Sequence, residues 1–396
     1  MPQAPIAAAA ARLRQGVNAL RAGRAAEARA LFESVLVDAP EDPTHHLALA
    51  YACQALGDSA EAFAATDRVL ALAPSNLQAL SLKAEMLAQQ GSDRAVDFFQ
   101  AVLKASEQVE GELPAEFERL IARAQQFTRD FNEALADRIR HRIGALTVVA
   151  DGAVSARFAQ SVDLLCGARR LYPSAPRLFQ FPELPVVQFF DVSLFDWVEE
   201  FERAADSIRT ELIGLLARTN APVVPYLQHD PQRPQLRRDP LVGSTDWGAI
   251  FLWKDGVLVE EVAATCPRTV EALERVPLVR TPGRSPNVLF SLLQPGAHIT
   301  PHHGFVNTRL IGHLPLIVPP RCGLRVGNQV HDWEPGKVVL FDDTIEHEAW
   351  NRSDTIRAVL IFEVWRPELS SAERDAVNSV FQAIDELKGR QAGWGI

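Results

Sequence analysis

Six of the ten histidines fall within residues 298–347: His298, His302, His303, His313, His331 and His347. Imidazole is the commonest neutral ligand for iron, zinc and copper, so this density marks a candidate metal site. An isolated histidine is more often a surface or satisfied core residue. His302 follows Thr300-Pro301 after one apolar run, and His347 closes FDDTIEH after another. Ligands at the strand ends of a small barrel can converge on its open mouth. The sequence holds no HExxH, and its four cysteines (Cys53, Cys166, Cys266, Cys322) form no CxxC pair. Neither a disulfide framework nor a thiolate metal site is expected, which fits a reducing compartment.

Arg357 stands ten residues beyond His347, inside IRAVLIFEVW. Strand alternation puts it on one face with Val359, Ile361 and Glu363, while Ile356, Ala358, Leu360, Phe362 and Val364 take the other. Both faces are mostly apolar, so the guanidinium is at least partly buried and needs an anion. One candidate is an ion pair with Glu363 or Asp354. The other, favoured by the two distant histidines, is a small dicarboxylate gripped by a two-pronged guanidinium.

The elements that must hold these residues are short. Apolar runs at 287–293, 309–318, 323–330, 337–341 and 356–365 are separated by Gly, Pro and Asn/Asp, which predicts an antiparallel sandwich or barrel. One long amphipathic helix is expected over 191–217. A last helix should start after Ser370, where Ser370-x-x-Glu373 forms a capping box. The proline-rich stretch 171–185 marks the entry into this architecture.

Upstream, the chain repeats. Gly23, Gly57 and Gly91 lie 34 residues apart, as do Gly16, Ala50 and Ala84, Pro40 and Pro74, and Ala28 and Ala62. Small residues let two helices approach, glycine suits the turn between them, and proline stops the second helix. The pattern resembles about three degenerate tetratricopeptide repeats over residues 5–106. Such repeats stack into a curved surface that binds peptides or proteins, or they cap a neighbouring domain. Residues 115–145 read as further helix, with Phe117, Leu120, Ile121 and Ala124 on one face.

A chain of 396 residues suits two or three domains, and 47% hydrophobic with 23% charged residues is a globular balance. The net charge of −10 argues against nucleic acid or an anionic membrane as the main partner. The alanine run Ala7 to Ala11 precedes Arg12 and Arg14, the reverse of a secretory leader. No stretch approaches the roughly 18 apolar residues of a membrane span. A cytoplasmic protein without a transmembrane segment is expected.

The stretches FSLLQPGAHITPHHGFVNTRLIGHLP and FDDTIEHEAWNRSDTIRAVLIFEVWRPELS, with DWGAIFLWKDG and CPRTVEALERVP upstream, resemble the catalytic domain of the aspartyl/asparaginyl β-hydroxylase family. The similarity covers roughly residues 183–370. It implies a double-stranded β-helix (jelly-roll or cupin-like) with flanking helices, behind an N-terminal α-solenoid. It also implies Fe(II), 2-oxoglutarate and O₂ as cofactor and co-substrates. By resemblance His302 and His347 bind iron, Ser291 and Arg357 hold the distal carboxylate of 2-oxoglutarate, and His313 lies near its other end. Arg309 matches a residue at or near the substrate pocket. Two positions depart: Ile311 stands where animal members have an anion-contacting arginine, and His303 is an extra imidazole.

Most iron oxygenases of this fold place a carboxylate ligand two residues after the first histidine. That position is Gly304 here, as in the animal β-hydroxylases, so two histidines and water are expected, with Asp342, Asp343 or Glu346 as the alternative third ligand. The expected domains are repeats at 1–125, a helical connector and linker at 126–182, and the oxygenase at 183–396. The expected activity is hydroxylation of an aspartyl, asparaginyl or related amino-acid or peptidyl substrate. Two alternatives are a fatty-acyl hydroxylase and an inactive tetratricopeptide adaptor.

Overall fold

The 34-residue period reflects a turn that closes the same way three times. The structure, a computed structural model, describes residues 3–109, 111, 113–150, 156–228 and 240–388. In each repeat a glycine adopts φ of +76°, +76° or +66° (Gly23, Gly57, Gly91). Its N–H and that of the next residue return to carbonyls of the preceding helical turn: Gly57 to Gln54 and Asp58 to Cys53, each at 3.0 Å. Gly23 and Gly91 repeat the arrangement with Leu20 and Ala88. Nothing lies within 4 Å of a Cβ built on these three glycines, so the backbone angle and not space demands them.

The first of two compact units, Met1–Arg169, contains α1 (Gln3–Arg21), α2 (Ala25–Asp38), α3 (Pro43–Leu56), α4 (Ser59–Leu72), α5 (Leu77–Gln89), α6 (Ala95–Ser106), α7 (Ala115–Ala150) and α8 (Ala156–Leu165). A Cβ on Gly16 would collide with the Phe32 ring, and Ala50 and Ala84 at equivalent positions are fully buried. α7 lays Phe117, Ala124 and Phe127 on the last repeat, with Phe127 4.5 Å from Phe99 between ring centroids.

The second unit, Arg170–Ile396, begins earlier than the residue 183 expected for the C-terminal domain. Ala175 N–H donates to Thr344 O (2.8 Å) and Arg177 N–H to Gly304 O (3.0 Å), so the proline-rich stretch is tied to connections of the unit it precedes. The chain then forms β1 (Phe189–Phe190), α9 (Val198–Arg203), α10 (Ala205–Leu216), β2 (Val224–Pro225), β3 (Trp247–Lys254), β4 (Val257–Leu258), α11 (Glu260–Ala263) and α12 (Pro267–Leu273). β5 (Val288–Leu293), β6 (His298–His302), β7 (Arg309–Ile317), β8 (Cys322–Val326), β9 (Gln329–His331), β10 (Val339–Phe341), β11 (His347–Asn351), β12 (Arg357–Trp365) and α13 (Ser371–Lys388) follow.

These strands make two antiparallel sheets. The eight-stranded one runs β1-β10-β7-β12-β5-β3-β2, with β4 on β3; the four-stranded one runs β6-β11-β8-β9. On the larger sheet Phe290, Leu314, Leu360 and Phe362 point to one face and pack under Phe201, Ile208 and Leu212 of α9 and α10. The alternate residues Leu289, Ile311, Val359 and Ile361 point the other way, onto Ile299, Leu324, Val326 and Ala349 of the smaller sheet. The unit is therefore helix on sheet on sheet. The functional candidates lie on the inner face of the larger sheet and on the sheet opposite.

Three expectations need correction. The single helix over 191–217 is broken, because the Asp191 carboxylate accepts from Ser193 N–H (3.0 Å) and Oγ (2.7 Å). That local bond competes with helical pairing, and Phe195 is extended at φ −116°, ψ 104°. The run 323–330 is a hairpin, β8 and β9, turning at Gly327 with φ +56°. Six strands lie outside the five apolar runs expected above: the short β1, β2 and β4, and β3, β6 and β11.

Candidate active site

β6 and β11 are adjacent and antiparallel, with His302 and His347 directly opposite in register. Their ring centroids are 4.1 Å apart. His302 Nδ1 lies 2.7 Å from Thr300 O, and His347 Nδ1 3.1 Å from Ile345 O. A carbonyl only accepts, so each Nδ1 carries the proton and donates, and each lone pair sits on Nε2. Burial, reinforced by the neighbouring His302, pushes His347 well below the usual imidazole range. His347 is thus held neutral, and the two facing rings form a candidate ligand couple. Among the described residues no three His, Cys, Asp or Glu side chains group as a metal-binding set.

A cavity of about 460 Å³, its open mouth included, begins at this pair. Ser291, His313 and Arg357 line it from the larger sheet, and Trp247, Ile311, Phe341 and Asp343 complete much of the wall. The cavity thereby brings together five of the six residues singled out in the sequence. Arg357 is 1% exposed, and its Nε and Nη1 have no hydrogen-bond partner. The alternative of an ion pair with Glu363 or Asp354 is not what forms: Glu363 Oε2 accepts from Ser285 Oγ (2.6 Å) and Asn287 N–H (2.8 Å), and Asp354 is exposed. Burial alone lowers the Arg357 pKa to about 10. Ser291 Oγ accepts from Trp247 Nε1 at 3.1 Å. His313 is pushed well below the imidazole range by burial, then by Arg357 and His331, and its Nδ1 has no partner.

Arg309 is set apart. Its side chain is fully buried behind the cavity wall, with Nη1 3.3 Å from Asp343 Oδ2 and Nε 3.1 Å from Glu363 Oε1. Neither approach has hydrogen-bond alignment, so both are charge contacts. Arg309 therefore supports Asp343 and does not reach the cavity. Asp343 itself faces the cavity, where burial, opposed by Arg309, pushes its carboxyl up to about 7.

The three acids near His347 have separate fates. Asp342 caps its turn, accepting from Thr344 N–H (2.9 Å) and from Arg366 Nη1 (2.8 Å). Glu346 pairs with Arg325 at 2.9 Å. Only Asp343 reaches the cavity, and its carboxylate fills the space a side chain at Gly304 would need. His303 is half-buried beside His302 and is not part of the cavity wall.

Two residues escaped sequence reasoning. Trp247 stacks on Tyr226 at 4.0 Å between centroids and closes one side of the cavity. Trp333 lies beneath Arg357, with the guanidinium carbon 4.8 Å from the ring centroid. Trp247 belongs to the DWGAIFLWKDG stretch, where alternation would have placed it on the face of Ala249; nothing local marked Trp333.

Residues 202–367 match the family model described as aspartyl/asparaginyl β-hydroxylase, and residues 19–86 match that of the tetratricopeptide repeat. The chain is 37% identical over 137 residues to the human aspartyl/asparaginyl β-hydroxylase, covering 34% of this chain and 18% of that protein. It is 36% identical over 188 residues to the ornithine lipid ester-linked acyl 2-hydroxylase of Rhizobium tropici, covering 46% of this chain and 62% of that one. The chain thus spans less than two thirds of either relative. Among solved structures, the type III secretion translocator chaperone SycD of Yersinia enterocolitica is 18% identical with a TM-score of 0.29, covering 31% of this chain and 90% of that one. Among the described residues no helix is long and apolar enough to cross a membrane.

Proposed function

With residues 202–367 forming a domain of the aspartyl/asparaginyl β-hydroxylase family, preceded by tetratricopeptide repeats, we propose that the chain is an Fe(II)- and 2-oxoglutarate-dependent hydroxylase acting on an amino-acid or peptidyl substrate. The observation that carries this reading is Arg357, a buried guanidinium with unmade hydrogen bonds at one end of a cavity that begins at two facing histidines. A buried charge without a partner is costly, so such a site is retained for an anion that arrives from outside. The two facing antiparallel sheets suit a double-stranded β-helix.

The donor set fits the groups this reading requires. His302 and His347 would hold iron through Nε2, and Gly304 brings no carboxylate. Iron, with O₂ and the 2-oxo acid, supplies oxidative decarboxylation coupled to hydroxylation of a carbon; that chemistry belongs to the cofactor. The chain supplies orientation. Arg357 and Ser291 receive the distal carboxylate, His313 stands beside them as a neutral donor, and Ile311, Phe341 and Ile361 exclude water from the walls. The backbone bonds from Nδ1 to Thr300 and Ile345 fix both ring orientations before any ligand binds.

One observation favours a second substrate class. Ile311 replaces a cation on the cavity wall and Arg309 is withdrawn behind it, so neither greets a substrate carboxylate. That wall suits an acyl chain, the target named for the R. tropici relative. The repeats are proposed to recruit a protein partner or a protein substrate. An inactive adaptor would have no reason to keep Arg357, His302 and His347 around one cavity.

Anaerobic titration tests the central reading: 2-oxoglutarate should bind only when Fe(II) is present, and admission of O₂ should yield succinate. Arg357→Ala should weaken 2-oxoglutarate by about 2–5 kcal/mol, the usual cost of truncating one partner of a buried charge pair, while sparing metal affinity. Arg357→Lys should rescue only in part, since a point charge replaces a planar fork. Binding of 2-oxoglutarate that ignores both Fe(II) and Arg357 would overturn the proposal.

A further inference from the structure

Arg357 has no carboxylate partner among the described residues, yet it has an indole. Trp333 is 6% exposed and lies under the guanidinium at 4.8 Å from carbon to ring centroid. It reaches this place from the connection between β9 and β10, which crosses from the smaller sheet to the larger. The crossing is tied on its far side: Gly336 N–H donates to Pro315 O (2.8 Å), and Val338 N–H donates to Glu202 Oε1 (2.9 Å). Trp333 Nε1 has no partner, so no hydrogen bond of its own explains the ring's position.

The choice of an aromatic ring has a physical rationale. A carboxylate beneath Arg357 would stabilise the buried cation more strongly, but it would compete with the carboxylate of an incoming ligand. A ring face attracts the cation through its quadrupole and leaves the in-plane N–H groups uncommitted. Those groups, Arg357 Nε and Nη1, are the ones without partners, as is His313 Nδ1, whose ring centroid is 5.8 Å from that of Trp333.

We propose that Trp333 is a positioning residue: its indole holds the Arg357 guanidinium beneath the cavity with its N–H fork open to the distal carboxylate of a five-carbon dicarboxylate. The inference rests on the 2-oxoglutarate reading and extends it to a side chain outside the cavity wall.

The test is calorimetric binding of 2-oxoglutarate to the full chain loaded with Mn(II), without O₂ and without turnover. Trp333→Leu and Trp333→Phe are each compared in the native and the Arg357→Ala background. Trp333→Leu should weaken binding about tenfold, in the range of a desolvated cation–aromatic contact, and Trp333→Phe should restore most of it. Neither should alter Mn(II) affinity, and neither should matter once Arg357 is gone, because a residue acting through another is not additive with it. Should Trp333→Leu fail to fold, Trp333→Met, a flexible filler of similar reach, takes its place with the same expectation. Unchanged affinity in Trp333→Leu, or an equal loss in both backgrounds, overturns the assignment of Trp333. A native protein that does not bind 2-oxoglutarate overturns instead the reading on which it rests.

Discussion

Replacing Gly304 by alanine should destabilise the second unit through a single, traceable collision. Gly304 is buried and its N–H donates to Asp343 O at 2.6 Å. Its φ lies outside the left-handed region, so alanine brings no backbone strain. A Cβ there would overlap the Asp343 carboxylate itself. That carboxylate has nowhere to retreat, being 1% exposed, with Arg309 3.3 Å away. Overpacking costs about 1–3 kcal/mol, and disturbing a buried ion pair adds to it. Lower chain entropy in the unfolded state returns about 0.4–1 kcal/mol. The net expectation is a loss of about 2–4 kcal/mol. Urea unfolding followed by tryptophan fluorescence reads it cleanly, because all seven tryptophans fall between residues 197 and 394. In an Asp343→Ala background the same Gly304→Ala change should cost less than about 1 kcal/mol, since the colliding group is gone. A Gly304→Ala protein as stable as the parent, or an equal cost in both backgrounds, would refute the packing argument. The same overlap bears on function: a carboxylate ligand could be installed at residue 304 only by evicting Asp343.

Other outcomes follow from the same geometry. Asp343 has a native pKa near 7 against 3.8 for an ordinary aspartate, so the folded state binds the extra proton. Its contribution is present at low pH and is lost as pH rises from about 4 to about 7; in metal-free protein, Asp343→Asn should flatten that decline, and an unchanged pH profile would count against the burial argument. His302→Ala and His347→Ala should each abolish Fe(II) binding by equilibrium dialysis while His303→Ala retains it, and retention in either of the first two would dismiss the paired-histidine site. A fragment starting at residue 170 should fold with the parent's fluorescence midpoint, as its core clusters are formed from its own residues; insolubility or a lower midpoint would deny it independence.

Some of this protein is written locally. The repeats were legible because a glycine that must turn left-handed and an alanine that must admit a neighbouring helix act within one or two turns of chain. The histidines of β6 and β11 stood out by their type and density, and the arginine of β12 by its type and by the alternation that set its face. What the sequence left open is which inner-face groups meet. Arg309 and Arg357 both sit on the inner face of the larger sheet, yet one is neutralised by Asp343 and Glu363 and the other is left to face the cavity. Glu363 was an equally good partner for either until strand register placed it against Arg309. The seating of the Asp343 carboxylate over Gly304 and of Arg357 over Trp333 joins residues at least 24 positions apart, and Asp343, Gly304 and Trp333 lie on connections with no periodicity of their own. Local propensity and alternation act over a few residues, so contacts made by closing one sheet over another are decided only when the whole unit packs.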